Sequence, residues 1–223
     1  MRLSEADHAR VTAAVTAAER GTEGEIVTVV ARRSDPYHDV ALHWTILAML
    51  LVLALLAAFP RGIEALHALV GDPWAGAVPT GAALTIALVA MALTFLVMRL
   101  VLAWQPLRLA MTPDATKERR VRRAALALFR TGAEKRTRAA TGVLLYLSID
   151  EHRAEIIADE SIHAKVSPET WGDAMAALIV AVKDGRPGDG MVDAVTAVGA
   201  VLTQHFPRSE GDVNEISDRL IEL

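Results

Sequence analysis

Residues 141–166 read TGVLLYLSIDEHRAEIIADESIHAKV, and the order of apolar and polar positions within them decides the fold. Val143 to Ile149 is a nearly continuous apolar run, the pattern of a strand covered on both faces. Asp150, Glu151 and His152 make a tight turn. Arg153 to Asp159 then alternates, with Ala154, Ile156 and Ala158 on one face and Arg153, Glu155 and Asp159 on the other. Two strands so close predict an antiparallel hairpin whose second member is half-exposed.

Outward from this hairpin the chain alternates helix and strand signals. Thr112-Pro113 offers an N-cap with proline in the first turn, and a helix follows to about Arg138. Further upstream, Glu25 to Ala31 (EIVTVVA) is dense in β-branched residues and reads as a buried strand. Before it, Ser4 with Asp7 three residues on starts a helix that Gly21 ends; Leu3, Val11, Ala14, Val15 and Ala18 give its apolar face. Downstream, Ser167-Pro168 opens a helix reaching Lys183. Gly185, Pro187 and Gly188 punctuate, Asp189 is the next cap, and a last helix ends at Phe206-Pro207. From Arg208 the tail is short and polar, with room for one more helical turn. A strand that returns to the sheet through a crossover helix predicts a parallel pair, Glu25–Ala31 beside Val143–Ile149, with the third strand antiparallel next to it.

Between the two members of that parallel pair lie two uncharged apolar runs, Ala41 to Phe59 and Ala82 to Met98, separated by a Pro- and Gly-marked loop. Each is long enough to cross a hydrocarbon layer ~30 Å thick. The expected partition is a discontinuous domain, 1–37 with 107–207, interrupted by a transmembrane hairpin, 38–106 (spans about 41–59 and 82–104), and a tail, 208–223. Arg32 and Arg33 precede the first span, and Arg99, Arg108, Lys117, Arg119, Arg120, Arg122 and Arg123 follow the second, whereas the loop offers only Arg61. This asymmetry places both termini in the cytoplasm of a bacterial cell, with the hairpin crossing the inner membrane. The polar N-terminus is not a secretory signal, so the first span reads as an internal anchor. Trp44, Trp74 and Trp104 fall near the expected interfaces, and Arg99 reaches the headgroups from the inner end of its span. Without Asp, Glu or Lys in either run there is no ion path, and His43 reads as interfacial rather than proton-linked.

Composition agrees: 52% of the 223 residues are apolar and 22% charged. Removing 41–104 leaves roughly 160 residues, enough for one compact domain with its own core. There is no cysteine, which excludes disulfides and thiolate metal sites. No G-x-S-x-G and no glycine-rich loop with a lysine is present. The run DGRPGDG, 184–190, has the glycines of a phosphate cradle, but it joins two helices, where a stop and restart accounts for it.

The strand–turn–strand segment, followed by Trp171, Asp184-Gly185, the run GDGMVDAVTAVGAVL and His205-Phe206-Pro207, resembles the TPM domain, a family named for thylakoid and membrane-associated members. The resemblance covers Leu3 to Arg33 and Lys117 to Pro207 and is most specific from the second strand through the helix containing Trp171. Where many members carry an acidic or amide pair before the glycine of the second strand, this chain has Ala140-Thr141. The resemblance implies an α+β fold, a small mixed sheet of three or four strands flanked by helices. It also implies a role in maintaining membrane complexes, divalent-metal binding and, in some members, phosphatase activity.

Glu151, His152, Glu155, Asp159, Glu160 and His163 crowd the turn and third strand. Carboxylates and imidazoles together hold hard or borderline divalent ions, so Asp150, Asp159 and Glu160 are the weak candidate ligands for Ca2+ or Mg2+. A solvated turn and strand face accounts for the same residues, since alternation turns Glu155 and Asp159 outward whatever the function. Asp150 beside Gly24-Glu25 is the other acidic pocket, on the argument that the ends of parallel strands gather loops at a crevice. No catalytic residue and no organic cofactor site is assigned.

The helix from Asp114 to Arg138 carries nine Lys or Arg against three acids. It lacks interleaved aromatics for base stacking, which argues against nucleic acid. Its position about a dozen residues from a span favours anionic lipid, at ~1 kcal/mol per cation. The functional expectation is a membrane-anchored binding or scaffold module acting on membrane complexes through an unidentified membrane-protein partner. A divalent-metal-dependent phosphatase-like hydrolase at the membrane surface is the alternative.

Overall fold

The computed structural model describes residues 3–70, 77–132, 141–209 and 216–223. In chain order these form α1 (Glu5–Glu19), β1 (Glu25–Ala31), α2 (His38–Ala58), α3 (Pro60–Val70), α4 (Thr80–Val101), α5 (Gln105–Ala110), α6 (Asp114–Gly132), β2 (Gly142–Ser148), β3 (Arg153–Ala158), α7 (Glu160–His163), a 3-10 turn (Pro168–Trp171), α8 (Gly172–Lys183), α9 (Pro187–His205) and β4 (Ile221–Glu222). They divide into two compact units: Met1–Asp35 with Asp114–Leu223, and Pro36–Pro113.

The first unit is α+β, a mixed four-stranded sheet in the order β3-β2-β1-β4 with helices on both faces. β1 and β2 are parallel from Glu25↔Gly142 to Ala31↔Ser148, and β2 and β3 are antiparallel from Val143↔Ala158 to Ser148↔Arg153. Every residue of β1 and β2 is buried, as their unbroken apolar runs require. On one face, Ile26, Val30, Val143, Leu145 and Leu147 pack with Val11 and Val15 of α1, Leu178 of α8, and Met191 and Val198 of α9. On the other, Val27, Val29, Leu144, Tyr146 and Ile157 pack with Val121, Ala125 and Phe129 of α6.

Local signals explain the helices of this unit. Ser4 and Asp7 form a complete capping box at the start of α1. The glycines of α9 serve packing: a Cβ on Gly199 would lie 2.5 Å from the Cβ of Ala18, and one on Gly190 would lie 2.8 Å from that of Ala181. They let α1 and α8 approach α9 closely, and the run DGRPGDG is indeed a helix stop and restart. Asp189 does not cap; it sits in the first turn of α9, ion-paired with Arg10 of α1.

Three expectations need correcting. The tail adds no helical turn where it is described: Ile221 and Glu222 pair in parallel with Val29 and Val30, and Leu223 N–H donates to Val30 O at 2.9 Å. Backbone pairing at an open edge needs no apolar alternation, so two residues suffice. β3 is half-exposed over Arg153 to Ile156 as expected, but its polar side is not a solvated face, because α6 lies over it and Glu155 faces Arg122 there at 3.5 Å. Glu151 is not a solvated turn residue either; it is 6% exposed. The expected end of the central helix, 133–138, lies outside the described residues, as do Trp74 and Ala140.

In the second unit, α2 and α4 pack side by side; both are long and apolar enough to cross a membrane, with mean hydropathy 2.4 and 2.3. Their leucines are largely exposed, among them Leu47, Leu50, Leu51, Leu88 and Leu93. The connecting segment is not simply a loop: Pro60 is the first residue of α3, where a missing N–H costs nothing, and an amphipathic helix runs on to Val70. Where the chain enters and leaves the unit, Arg108 of α5 is buried and donates to the carbonyls of Leu102 and Pro36, both at 2.8 Å. Trp44 donates its indole N–H to Met111 O at 3.2 Å. Arg108 therefore joins the two ends of the hairpin rather than standing free among the basic residues after the second span.

Candidate functional site

The two ends of the sheet hold most of the polar side chains that the fold buries. At the end where β1 and β2 begin, Asp159 is 7% exposed, and its carboxylate accepts the Gly142 N–H at 2.8 Å. Its neighbour Glu160, in the first turn of α7, is exposed. At the opposite end, the β2–β3 turn places Asp150 beside Arg32, with Nε–Oδ2 at 3.8 Å. Asp150 N–H donates to Arg32 O at 2.9 Å.

The parallel register therefore removes the pocket imagined between Asp150 and Gly24-Glu25. Glu25 aligns with Gly142 at the start of the strands, whereas Asp150 follows their C-terminal ends. Asp150 and Asp159 stand at the two ends of the hairpin, about 20 Å apart at 3.3–3.4 Å per residue. Asp159 and Glu160 adjoin in sequence, but the Asp159 carboxylate is turned to a backbone amide. Among the described residues no three His, Asp or Glu side chains converge as metal ligands. A Ca2+ ion takes six to eight oxygens, and these donors do not fit one.

The turn end is a closed polar knot. Glu151 accepts the Ser34 N–H at 2.9 Å and the Ser148 hydroxyl, and the hydroxyls of Ser34 and Tyr146 lie 2.9 Å apart. Arg120 of α6 pairs with Asp35 at 2.6 Å. These bonds tie the last residues of β1's extension to the β2–β3 turn, and burial pushes the Tyr146 phenol up.

A second acidic group, which sequence reasoning missed, joins α1, β1 and the tail. Glu19 accepts the Ile26 N–H at 2.7 Å, and Glu25, 6% exposed, accepts the Ile216 N–H at 3.2 Å. Asp218 accepts the Thr16 hydroxyl. Burial first, then the nearby charges of Glu25 and Asp218, push the Glu19 carboxyl up to about 8. No sequence signal marks this cluster, because its three acids come from three separate elements.

An opening that carries both charge and apolar surface runs along β3. A cavity of about 460 Å³ is floored by Ala154 to Ala158 and walled by Arg122, Phe129 and Arg130 of α6 on one side and by Trp171 and Met175 on the other. Trp171 is 6% exposed, with its indole N–H unpaired. Burial raises the Glu155 carboxyl, and Arg122 opposes that shift. Among the described residues no nucleophile–base pair lines the cavity.

Comparison with known proteins agrees with the fold. The solution structure of the protein BA42 from the psychrophilic bacterium Bizionia argentinensis superposes with a TM-score of 0.56 at 15% identity, covering 100% of this chain and 97% of that one. No curated protein matches the sequence. The model of the TPM domain matches residues 106–201, which contain α6, the β2–β3 hairpin, α8 and most of α9. The mixed sheet and its flanking helices agree with that match, so the segment 106–201 is similar to the TPM domain.

Proposed function

We propose that the chain is a membrane-anchored binding module, in which α2 and α4 cross the bacterial inner membrane and the TPM-type unit works on the cytoplasmic side, serving the assembly or maintenance of membrane complexes. The observation that carries this reading is the place of the apolar helices in the fold. The chain leaves the α+β unit after Asp35 and returns at Asp114, so the central strand β1 and its neighbour β2 lie on either side of the hairpin. Such a unit is held to the bilayer at two points. The Lys and Arg that follow α4 favour a cytoplasmic unit, and the exposed arginines of α6, Arg119, Arg122 and Arg123, suit anionic headgroups.

A reporter enzyme active only outside the cytoplasm tests the topology. Fused at Gly71 it should be active, and fused at Leu223 it should be silent. The reverse pattern would overturn the orientation.

The alternative, a divalent-metal-dependent phosphatase, asks for three or more ligands converging on one point, and no such group lies among the described residues. Calorimetry on the purified chain should find Ca2+ or Mg2+ bound no more tightly than ~10⁻³ M, the weak end of protein calcium sites. Phosphomonoester turnover should be negligible. Micromolar binding lost in Asp150→Ala or Asp159→Ala, together with metal-dependent turnover, would put the hydrolase first.

A further inference from the structure

The phase of the β2–β3 ladder determines which backbone groups of β3 are open. Asp159 N–H donates to Gly142 O at 3.0 Å, so Gly142 and Asp159 form a hydrogen-bonded pair. In an antiparallel ladder such pairs alternate with pairs whose amides and carbonyls point away from each other. Counting along the observed register, Leu144–Ile157, Tyr146–Glu155 and Ser148–Arg153 are bonded pairs. Ala154, Ile156 and Ala158 therefore turn both N–H and C=O away from β2. β3 is the last strand on its side of the sheet, so these six groups face the open edge.

That edge is unlike the bare edge of a surface strand. Native proteins blunt such edges with charge, proline or a cover, because an exposed row of amides recruits another strand. Here the edge is the floor of the cavity between α6 and the Trp171–Met175 wall. Its opening is not blocked by proline, and no described strand pairs with it. The charge of the walls is also uneven. Arg122 is engaged with Glu155, while Arg130, exposed on the same wall, has no ion-pair partner among the described residues.

We infer that this groove binds an extended acidic peptide from a partner protein, which adds to β3 as a fifth strand and sets a carboxylate against Arg130. Strand addition supplies affinity through main-chain bonds, and alternate side chains supply specificity through the walls. Ala154, Ile156 and Ala158 provide the main-chain bonds. Phe129, Trp171 and Met175 receive an apolar side chain of the peptide, and Arg130 selects for acid over base. This inference rests on the reading of the chain as a binding module and gives that reading its surface.

The test uses the full chain in lipid nanodiscs and fluorescence anisotropy of labelled hexapeptides. The probes are Glu-Val-Thr-Val-Glu-Val, its counterpart with lysine for glutamate, and the acidic peptide N-methylated at alternate amides. The acidic peptide should bind at least tenfold more tightly than the basic one, and N-methylation should abolish binding. Ala154→Pro removes one outward N–H without breaking a bond to β2, the one setting in which a strand accepts proline, and should weaken the acidic peptide at least tenfold. Arg130→Glu should reverse the preference between acidic and basic peptides.

Equal binding of both charges, or binding untouched by N-methylation, would overturn the proposal; neither readout depends on how a variant folds. Light scattering that showed a dimer dissolved by Ala154→Pro, with no peptide bound, would assign the edge to a second copy and overturn it too. The topology reporters are independent of these measurements. Loss of peptide binding with the reporters as expected removes this site and leaves the anchored module, whereas reversed reporters leave the peptide result standing on the other side of the membrane.

Discussion

Val29→Asp abolishes hydrogen-exchange protection throughout β1 and β2 while leaving that of α2 and α4 intact. Val29 is 2% exposed, in the strand second from the sheet's edge, between Tyr146 of β2 and Ile221 of β4. Its side chain faces the layer formed with Val121, Ala125 and Phe129, and no cation of this unit is among the described buried residues. An ionised carboxylate there is desolvated without a partner and costs several kcal/mol, comparable to the ~5–15 kcal/mol that holds a whole domain. Val29→Ala is the control: it loses packing but buries no charge, and should lower the stability by about 2–3 kcal/mol without unfolding the unit. The amides of Val143 to Leu147 are the readout, since β2 pairs with β1 along its full length. Protection there equal to that of the unsubstituted chain would mean that the hairpin β2–β3 stands without β1. The two segments flanking the apolar insert would then not be one cooperative unit.

Much of this fold was legible because its signals are local. The bounds of β1 and the apolar core of β2 follow from β-branched and apolar runs, and the Ser4–Asp7 capping box from a three-residue spacing. The parallel pairing follows from the handedness and length of the crossover. Features that depend on distant partners were not legible. Glu151 is turned inward by the amide of Ser34, 117 residues away in sequence. Glu155 is covered by α6, which alternation along β3 alone does not reveal. β4 forms because Leu223 and Arg32 exchange backbone bonds with neighbours, and two residues leave no periodic trace.

The candidate sites divide in the same way. The acids of the hairpin were visible as residues, but not their separation, which only the register sets. The groove was invisible for a subtler reason. Its chemistry lies in main-chain groups whose direction is fixed by the phase of a ladder, and that phase is set by one bond between Asp159 and Gly142. Trp171 was conspicuous in sequence, yet nothing local connects it with Arg130 or with the edge of β3. α3 was hidden by its own first residue, since a proline after an apolar run reads as a break as readily as a helix start.

Stability should fall as pH rises from about 5 to about 9, and Glu19→Gln should remove most of that fall. The Glu19 carboxyl titrates at about 8 in the folded chain, against an ordinary value near 4.5, chiefly because it is buried and secondarily because Glu25 and Asp218 lie close. A raised carboxyl makes the folded state the better proton binder between those two values. The contribution is therefore complete below the unfolded value and is lost as pH climbs through the folded one. With a discount for the partial exposure of Glu19, the loss is on the order of 2–4 kcal/mol. Glutamine keeps the acceptor for the Ile26 N–H and cannot ionise, so the variant's stability should change little across the same range. The groups facing Glu19 also locate the first opening. Asp218 and the Ile216 amide belong to the segment leading into β4, so deprotonation sets Glu19 against Asp218 and Glu25 and loosens the tail before the core. Hydrogen exchange at Leu223, whose N–H bonds Val30 O, should accelerate above pH 8 beyond its intrinsic rate, ahead of the amides of β2. A pH profile for Glu19→Gln parallel to that of the unsubstituted chain would place the titration elsewhere, and tail and core amides opening together would show that the two are not separable.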